Sequence, residues 1–202
     1  MTPSGKIELM APAGNFESLQ AALDNGADSV YFGVEQLNMR ARATINFTLE
    51  DLPEIAKRCK AQKVRTYLTL NTIIYDHDLS VVKTLVSKAK DAGITAVIAS
   101  DQAVIASARA IGMEVHISTQ LNVTNVETVK FYSLFADTIV LSRELSLRQV
   151  KKITEQIEKE QIKGPSGNLV EIEIFGHGAL CMAVSGKCYL SLHSHNSSAN
   201  RG

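Results

Sequence analysis

Cys181 and Cys188 stand seven positions apart in EIFGHGALCMAVSGKCYLS (173–191), where the 202-residue chain gathers its soft metal-ligating side chains. Thiolates suit zinc and iron–sulfur clusters, and a closed site of either kind needs about four donors. The pair therefore supplies half of a site. His177, His193 and His195 are close in sequence, so Cys181, Cys188, His177 and His193 would make a tetrahedral zinc set. Gly178, Ser185 and Gly186 give the loop small residues with which to fold round a ligand. Cys59, alone in the helical run LPEIAKRCKAQK, reads as a packed thiol. A thiol nucleophile is the other chemistry open to such a pair, although the spacing assembles no Ser-His-Asp or Cys-His order.

The elements that must position this loop repeat along the chain. Short Val- and Ile-rich runs alternate with segments of helical period, the pattern of successive βα units around a parallel sheet. Seven strands are predicted, over residues 6–11, 29–34, 65–70, 95–100, 114–119, 137–142 and 170–175. Helices are predicted from Phe16, Leu49, Leu79, Asp101, Val126 and Ser146. In the third, Val82, Leu85, Val86 and Ala89 fall on one face, with Lys83, Lys88 and Lys90 off it. Gly26, Gly93 and Gly112 mark left-handed helix ends. KGPSGN (163–168) reads as a turn rather than a linker, so residues 1–202 are expected to form one domain. Seven units without a reversal in the sheet favour an α/β fold of the TIM-type (β/α) barrel class over an open doubly wound sheet, with an eighth unit expected beyond Gly202.

In such a barrel the chemistry sits where strands end and loops begin. Those positions are Pro12-Ala13-Gly14-Asn15, Asn71, Ser100-Asp101, Ser118-Thr119-Gln120 with Asn122, Ser142-Arg143-Glu144, and His177. Asn71, Gln120, Arg143 and His177 are the candidate catalytic residues, offering enough donors and acceptors to orient a small polar or anionic ligand. Arg143 is the natural partner for a carboxylate or phosphate. The plainer alternative makes Asp101, Asn122 and Ser146 helix caps and Arg143 with Glu144 a surface pair. The loop EQLNMRARATINFT (35–48) is longer than its connection needs and carries Arg40 and Arg42, further candidates for binding anionic groups. No phosphate-cradling glycine motif opens a helix, and APAGN is at most a weak anion site.

Twenty-one basic residues balance twenty-one acidic ones, so any nucleic-acid contact must be local rather than driven by net charge. No signal-peptide pattern and no apolar run of about 18 residues occurs, which gives the expectation of a cytoplasmic protein without membrane attachment.

The cysteine segment resembles the signature of the peptidase U32 family, in which Glu-x-Phe-x-x-Gly-Ala-hydrophobic-Cys is followed by Gly-x-Cys-x-hydrophobic-Ser. Glu173, Phe175, Gly178, Ala179, Leu180, Cys181, Gly186, Cys188, Leu190 and Ser191 meet it. ELMAPAGNFESLQAALDNGADSVYFGV near the N-terminus and LSRELSL (141–147) are similar to the same family. The resemblance implies a barrel and the first two of four thiolate ligands to a [4Fe–4S] cluster, with the remaining ligands expected beyond Gly202 and the cluster incomplete or absent in these residues alone. It also implies RNA hydroxylation, of tRNA wobble uridine to 5-hydroxyuridine ahead of ribosomal RNA, with a small anionic co-substrate of the prephenate type. The alternatives it leaves open are a collagenase-like peptidase and a non-catalytic cluster carrier paired with a second U32 subunit in ubiquinone or ribosomal RNA hydroxylation.

Overall fold

Each apolar run forms a strand only where a neighbour of matching register lies beside it. The computed structural model describes residues 7–35, 37–38, 47–178, 183–185 and 193, and these fall into two compact units that divide between Glu114 and Val115. In the first, β1 (Met10–Pro12), β2 (Ser29–Phe32), β3 (Arg65–Leu70) and β4 (Ala96–Ala99) pair in chain order, all parallel. Helices α1 (Phe16–Asp24), α2 (Leu52–Ala61), α3 (Leu79–Ala92) and α4 (Gln102–Ala110) follow them in alternation. Strand β5 (Glu114–Ile117) leads into the second unit, where it pairs in parallel with β6 (Thr138–Val140), and β6 pairs with β7 (Glu171–Glu173). Helices α5 (Val126–Ser133) and α6 (Leu147–Glu160) connect them. The seven strands and six helices of the sequence reading are all present.

Register decides which side chains share a face. Pro12, Tyr31, Tyr67 and Ala96 are aligned partners, and Tyr67, Ala96 and Ile98 form a buried cluster against which Met10 and Tyr31 pack. The alternate positions, such as Val30, Leu68 and Val97, are fully buried as well. Strands covered on both faces are why the sequence shows continuous apolar runs instead of clean alternation. The helices cover one face with their apolar stripes, and in α3 the buried residues are Val82, Leu85, Val86 and Ala89, as the spacing predicts.

Helix ends follow local chemistry. Gly26, Gly93 and Gly112 all have positive φ, at 79°, 84° and 68°. Lys63 and Gln161 adopt the same conformation after α2 and α6 without glycine, at 60° and 54°. Asp101 caps α4 by accepting from the Ala103 N–H at 2.8 Å, and Ser146 caps α6 through Gln149. Asn122 does not cap α5. It is a left-handed residue (φ 51°) closing a short turn, and Asn125 caps α5 by accepting from the Thr128 N–H at 3.0 Å. The turn at 163–168 is closed by Gly164 N–H donating to Asn168 O at 2.9 Å. At Gly164 a Cβ would lie 2.3 Å from the Asp137 carboxylate, so the close approach itself requires glycine.

The long connection after β2 is stapled at its base. Val34 bridges Phe47, Glu35 N–H donates to Phe47 O at 3.1 Å, and the buried Phe47 ring packs edge-on against Phe16 and Phe32. Arg40 and Arg42 lie outside the described residues.

At the N-terminal ends of the strands Arg65 bridges two carboxylates, with Nη1 on Glu8 and Nη2 on Glu114, each at 3.0 Å. Its guanidinium lies 5.3 Å from the Tyr67 ring centre. The Tyr67 hydroxyl donates to Glu8 at 2.7 Å, and burial with that bond pushes the phenol well above its ordinary pKa. Polar groups at this end of the strands serve stability in a barrel fold. Tyr67→Phe, which leaves the Glu8 carboxylate short of one donor, is expected to lower stability by about 1.5–3 kcal/mol. Urea unfolding checks this as a lower midpoint at unchanged slope.

Candidate functional site

The second unit places its polar groups where β5 and β6 end. Glu144, just after β6, receives the Ser185 N–H at 2.8 Å on Oε1, and the Ser185 hydroxyl lies 3.2 Å from Oε2. Ser142 also donates to the Glu144 carboxylate. Arg143 donates from Nε to Ser185 Oγ at 3.4 Å and from Nη2 to the Ala183 carbonyl at 3.3 Å. Thr119, following β5, reaches Ser185 Oγ at 3.5 Å and Leu141 O at 3.4 Å. Ser185 is fully buried by these contacts.

Ala183 and Ser185 lie between Cys181 and Cys188 in sequence, so the loops after β5 and β6 grip the cysteine segment at its middle. Arg143 and Glu144 are therefore anchors of that segment and not merely a surface pair. The two cysteines themselves lie outside the described residues. Burial works against ionisation of Glu144, but hydrogen bonds from the Ser185 N–H, its own N–H and the Ser185 hydroxyl, helped by Arg143, hold its carboxyl below the usual range.

A second polar pair lies on the strands. Registers align Ile117 with Ile139 and Ile172, and His116 with Thr138 and Glu171. The alternation puts His116, Thr138, Val140 and Glu173 on the face opposite those isoleucines. His116, 2% exposed, holds Nδ1 at 3.8 Å from Glu173 Oε2, an ion-pair separation too long for a hydrogen bond. Glu173 Oε2 is buried with no hydrogen-bond partner among the described residues. A buried imidazole beside such a carboxylate is equipped to move a proton.

The other candidates are dispersed. Gln120 is half-buried in the turn after β5, where its N–H lies 3.3 Å from Ser118 Oγ. His177 is exposed after β7. Asn71 is half-buried at the end of β3 in the first unit. Asn15 fills the start of α1 with its own side chain, accepting the Ser18 N–H at 2.8 Å while Gly14 N–H donates to Ser18 Oγ at 2.9 Å. That end is satisfied internally, which removes the reason to read APAGN as an anion site. Sequence reasoning passed over His116, whose signal is one imidazole inside an otherwise apolar strand, and the anchoring roles of Glu144 and Ser185.

The donor chemistry fits a soft metal centre in part. Cys181 and Cys188 would supply two soft donors from either side of the fastened Ala183–Ser185 stretch in sequence, whereas Cys59 is sealed in α2 and burial pushes its thiol up to about 11. Among the described residues no group of three His, Cys, Asp or Glu side chains could hold a metal ion, and no helix is long and apolar enough to cross a membrane.

Comparison with known proteins agrees with this architecture. Residues 14–202 match the model of peptidase family U32. A collagenase of Porphyromonas gingivalis is 59% identical over 97% of this chain and 47% of its own length. The tRNA hydroxylation protein P1 of Bacillus subtilis is 34% identical over 98% of this chain and 44% of its own. The chain thus spans about half the length of these curated relatives. Among solved structures, the U32 peptidase Mk0906 superposes with a TM-score of 0.59 at 16% identity, over 78% of this chain and 68% of that one. That likeness shows the fold, an α/β arrangement of the (β/α) barrel class.

The depressed Glu144 carboxyl makes the grip on Ser185 depend on pH in a set direction. It contributes fully above the ordinary carboxyl pKa and is lost as pH falls through the lower value in the folded protein. Glu144→Ala is expected to speed exchange of the Ser185 amide about 5- to 10-fold at neutral pH, the worth of one net hydrogen bond. The same amide in the unaltered chain is expected to lose its protection in acid, once intrinsic exchange is corrected for. Hydrogen–deuterium exchange read by mass spectrometry checks both.

Proposed function

The chain belongs to peptidase family U32, and on that premise we propose that it takes part in hydroxylation of a nucleobase in cytoplasmic RNA, with tRNA wobble uridine ahead of ribosomal RNA. The observation that carries the reading is the fastening of the segment between Cys181 and Cys188, through Ser185, to the polar ends of β5 and β6. One thiolate could serve a peptidase as nucleophile, whereas two soft thiolates close together in sequence suit a redox centre. Similarity to a tRNA hydroxylation protein across nearly the whole chain supports the same reading.

Cys181 and Cys188 would hold a [4Fe–4S] cluster together with donors from outside this pair. When bound, the cluster supplies electron transfer that side chains cannot. Glu144, Arg143 and Thr119 orient the ligand-bearing segment from behind, as hydrogen-bonding partners of metal ligands do. His116 with Glu173 holds or moves a proton on the strand face. Arg143, with Arg40 and Arg42, takes the anionic groups of the RNA or of a carboxylate co-substrate such as prephenate.

A second reading, a collagenase-like peptidase, is favoured by the 59% identity to a protein of that name. Two measurements separate them. In cells lacking the gene, mass spectrometry of tRNA nucleosides is expected to show loss of 5-hydroxyuridine, restored by the unaltered gene but not by Cys181→Ala or Cys188→Ala. Unchanged 5-hydroxyuridine, together with gelatin cleavage that survives chelation and vanishes in Cys181→Ala, would replace hydroxylation with proteolysis. Glu173→Gln, which keeps the shape but removes the charge beside His116, is expected to cut modification about 10²- to 10⁴-fold while leaving iron content unchanged.

A further inference from the structure

Phe, Tyr and Trp together make up 5% of this chain, yet the loop after β3 displays a tyrosine ring beside a histidine ring. Tyr75 and His77 lie parallel, 4° between planes and 5.8 Å between centres. This is the offset stack that aromatic rings favour. Both are open to solvent, Tyr75 at 51% overall and the His77 side chain at 74%. Ile73 and Leu79 on either side are exposed at 45% and 39%. The exposed ring pair thus lies on a connection that follows the C-terminal end of a strand, the end at which barrel folds bind their substrates.

The loop is held in shape from within. Asp78 is buried, and its carboxylate accepts the Tyr75 N–H at 3.0 Å while lying 3.5 Å from His77 Nε2. Asp78 N–H donates back to Tyr75 O at 2.8 Å. Asp101, besides capping α4, accepts the Ile74 N–H at 3.0 Å and so ties the loop to the end of β4. Two carboxylates thus hold the backbone that carries the exposed rings, and the entropy of ordering them is largely met before any ligand arrives.

We infer that Tyr75 and His77 form a stacking platform for an unpaired nucleobase of the RNA substrate. This rests on the hydroxylation reading above and adds to it where a base is received. A base has a π-face that continues a parallel ring stack, and stacking on exposed rings is a common way to receive an unpaired base. With no excess of basic residues in the chain, contacts to the backbone of such a ligand fall to local cations. A proline-rich peptide instead docks into a groove between rings, and parallel rings present a single plane.

The test uses the full chain and a fluorescein-labelled tRNA anticodon hairpin, with binding read by anisotropy. The same hairpin with an abasic site at the wobble uridine serves as the second probe. Tyr75→Ala is expected to weaken binding of the intact hairpin about tenfold. Tyr75→Phe, which keeps the ring and reports on folding, stays within about twofold of the unaltered chain on the same grounds. The abasic hairpin binds the unaltered chain as weakly as Tyr75→Ala binds the intact one, and combining the two changes adds little further loss.

Equal affinity of Tyr75→Ala and the unaltered chain, losses that multiply, or no hairpin binding at all would each overturn the platform. So would a labelled gelatin peptide that binds in place of the hairpin and is lost in Tyr75→Ala. Nucleoside analysis keeps the two readings apart. A non-additive loss of hairpin binding without 5-hydroxyuridine in cells upholds the platform and rejects hydroxylation. Normal 5-hydroxyuridine in a Tyr75→Ala strain with unchanged binding does the reverse.

Discussion

The carboxylate of Glu144 determines where the cysteine-bearing segment meets the sheet. It accepts the Ser185 backbone N–H and takes hydroxyls from Ser142 and Ser185, while Arg143 and Thr119 close on the same serine. A loop with glycines before and between its cysteines has many conformations to lose, and about 1–2 kcal/mol per ordered residue opposes fixing them. Several hydrogen bonds meeting at one buried serine offset that cost at a single point. Neither cysteine is needed for that fastening, which is made by Thr119, Ser142, Arg143 and Glu144 on Ala183 and Ser185.

Parallel strands explain why polar chemistry collects where it does. Strands covered on both faces are apolar along most of their length, and β4 is buried throughout. Polar side chains are admitted where they find partners. At the N-terminal ends of the first unit's strands, Arg65 lies between Glu8 and Glu114 with the Tyr67 hydroxyl on Glu8, a set whose bonds are made within the protein. In the second unit, the His116–Glu173 pair leaves a carboxylate oxygen without a donor among the described residues. Satisfied sets stabilise, whereas a buried oxygen left without a donor costs about 1–3 kcal/mol.

Much of the fold was legible because strand and helix periods are local. Arg65–Leu70 is read to the residue, and the helix starting at Leu79 is found from its apolar stripe and the glycine that ends it. The strand predicted over 6–11 instead runs Met10–Pro12, because pairing with Ser29–Tyr31 sets its limits and Leu9 binds the Asp28 carboxylate outside the ladder. Asn122 looked like a cap because a helix follows it, but the cap position falls to Asn125 once a short turn intervenes. The site was less legible. Strand ends pointed to Arg143 and Gln120 as ligand-binding groups, but that Arg143 faces Ser185, 42 positions away, is a tertiary fact without a local pattern. His116 and Glu173, separated by 57 positions, meet only through the register of three strands.

The Glu144–Ser185 contact fastens the stretch between the two cysteines, and a double-mutant cycle on thiol reactivity tests most directly whether it governs their access. Alkylation rates of Cys181 and Cys188, followed by peptide mass spectrometry, are compared in the unaltered chain, Glu144→Ala, Ser185→Ala and the double variant, with buried Cys59 as the unreactive internal reference. Glu144→Ala is expected to raise the rates most, Ser185→Ala, which keeps the backbone N–H bond to the carboxylate, to raise them less, and the double variant to be no faster than Glu144→Ala, a coupling of about 1 kcal/mol. Single variants that react like the unaltered chain, or rates that multiply in the double variant, would contradict it.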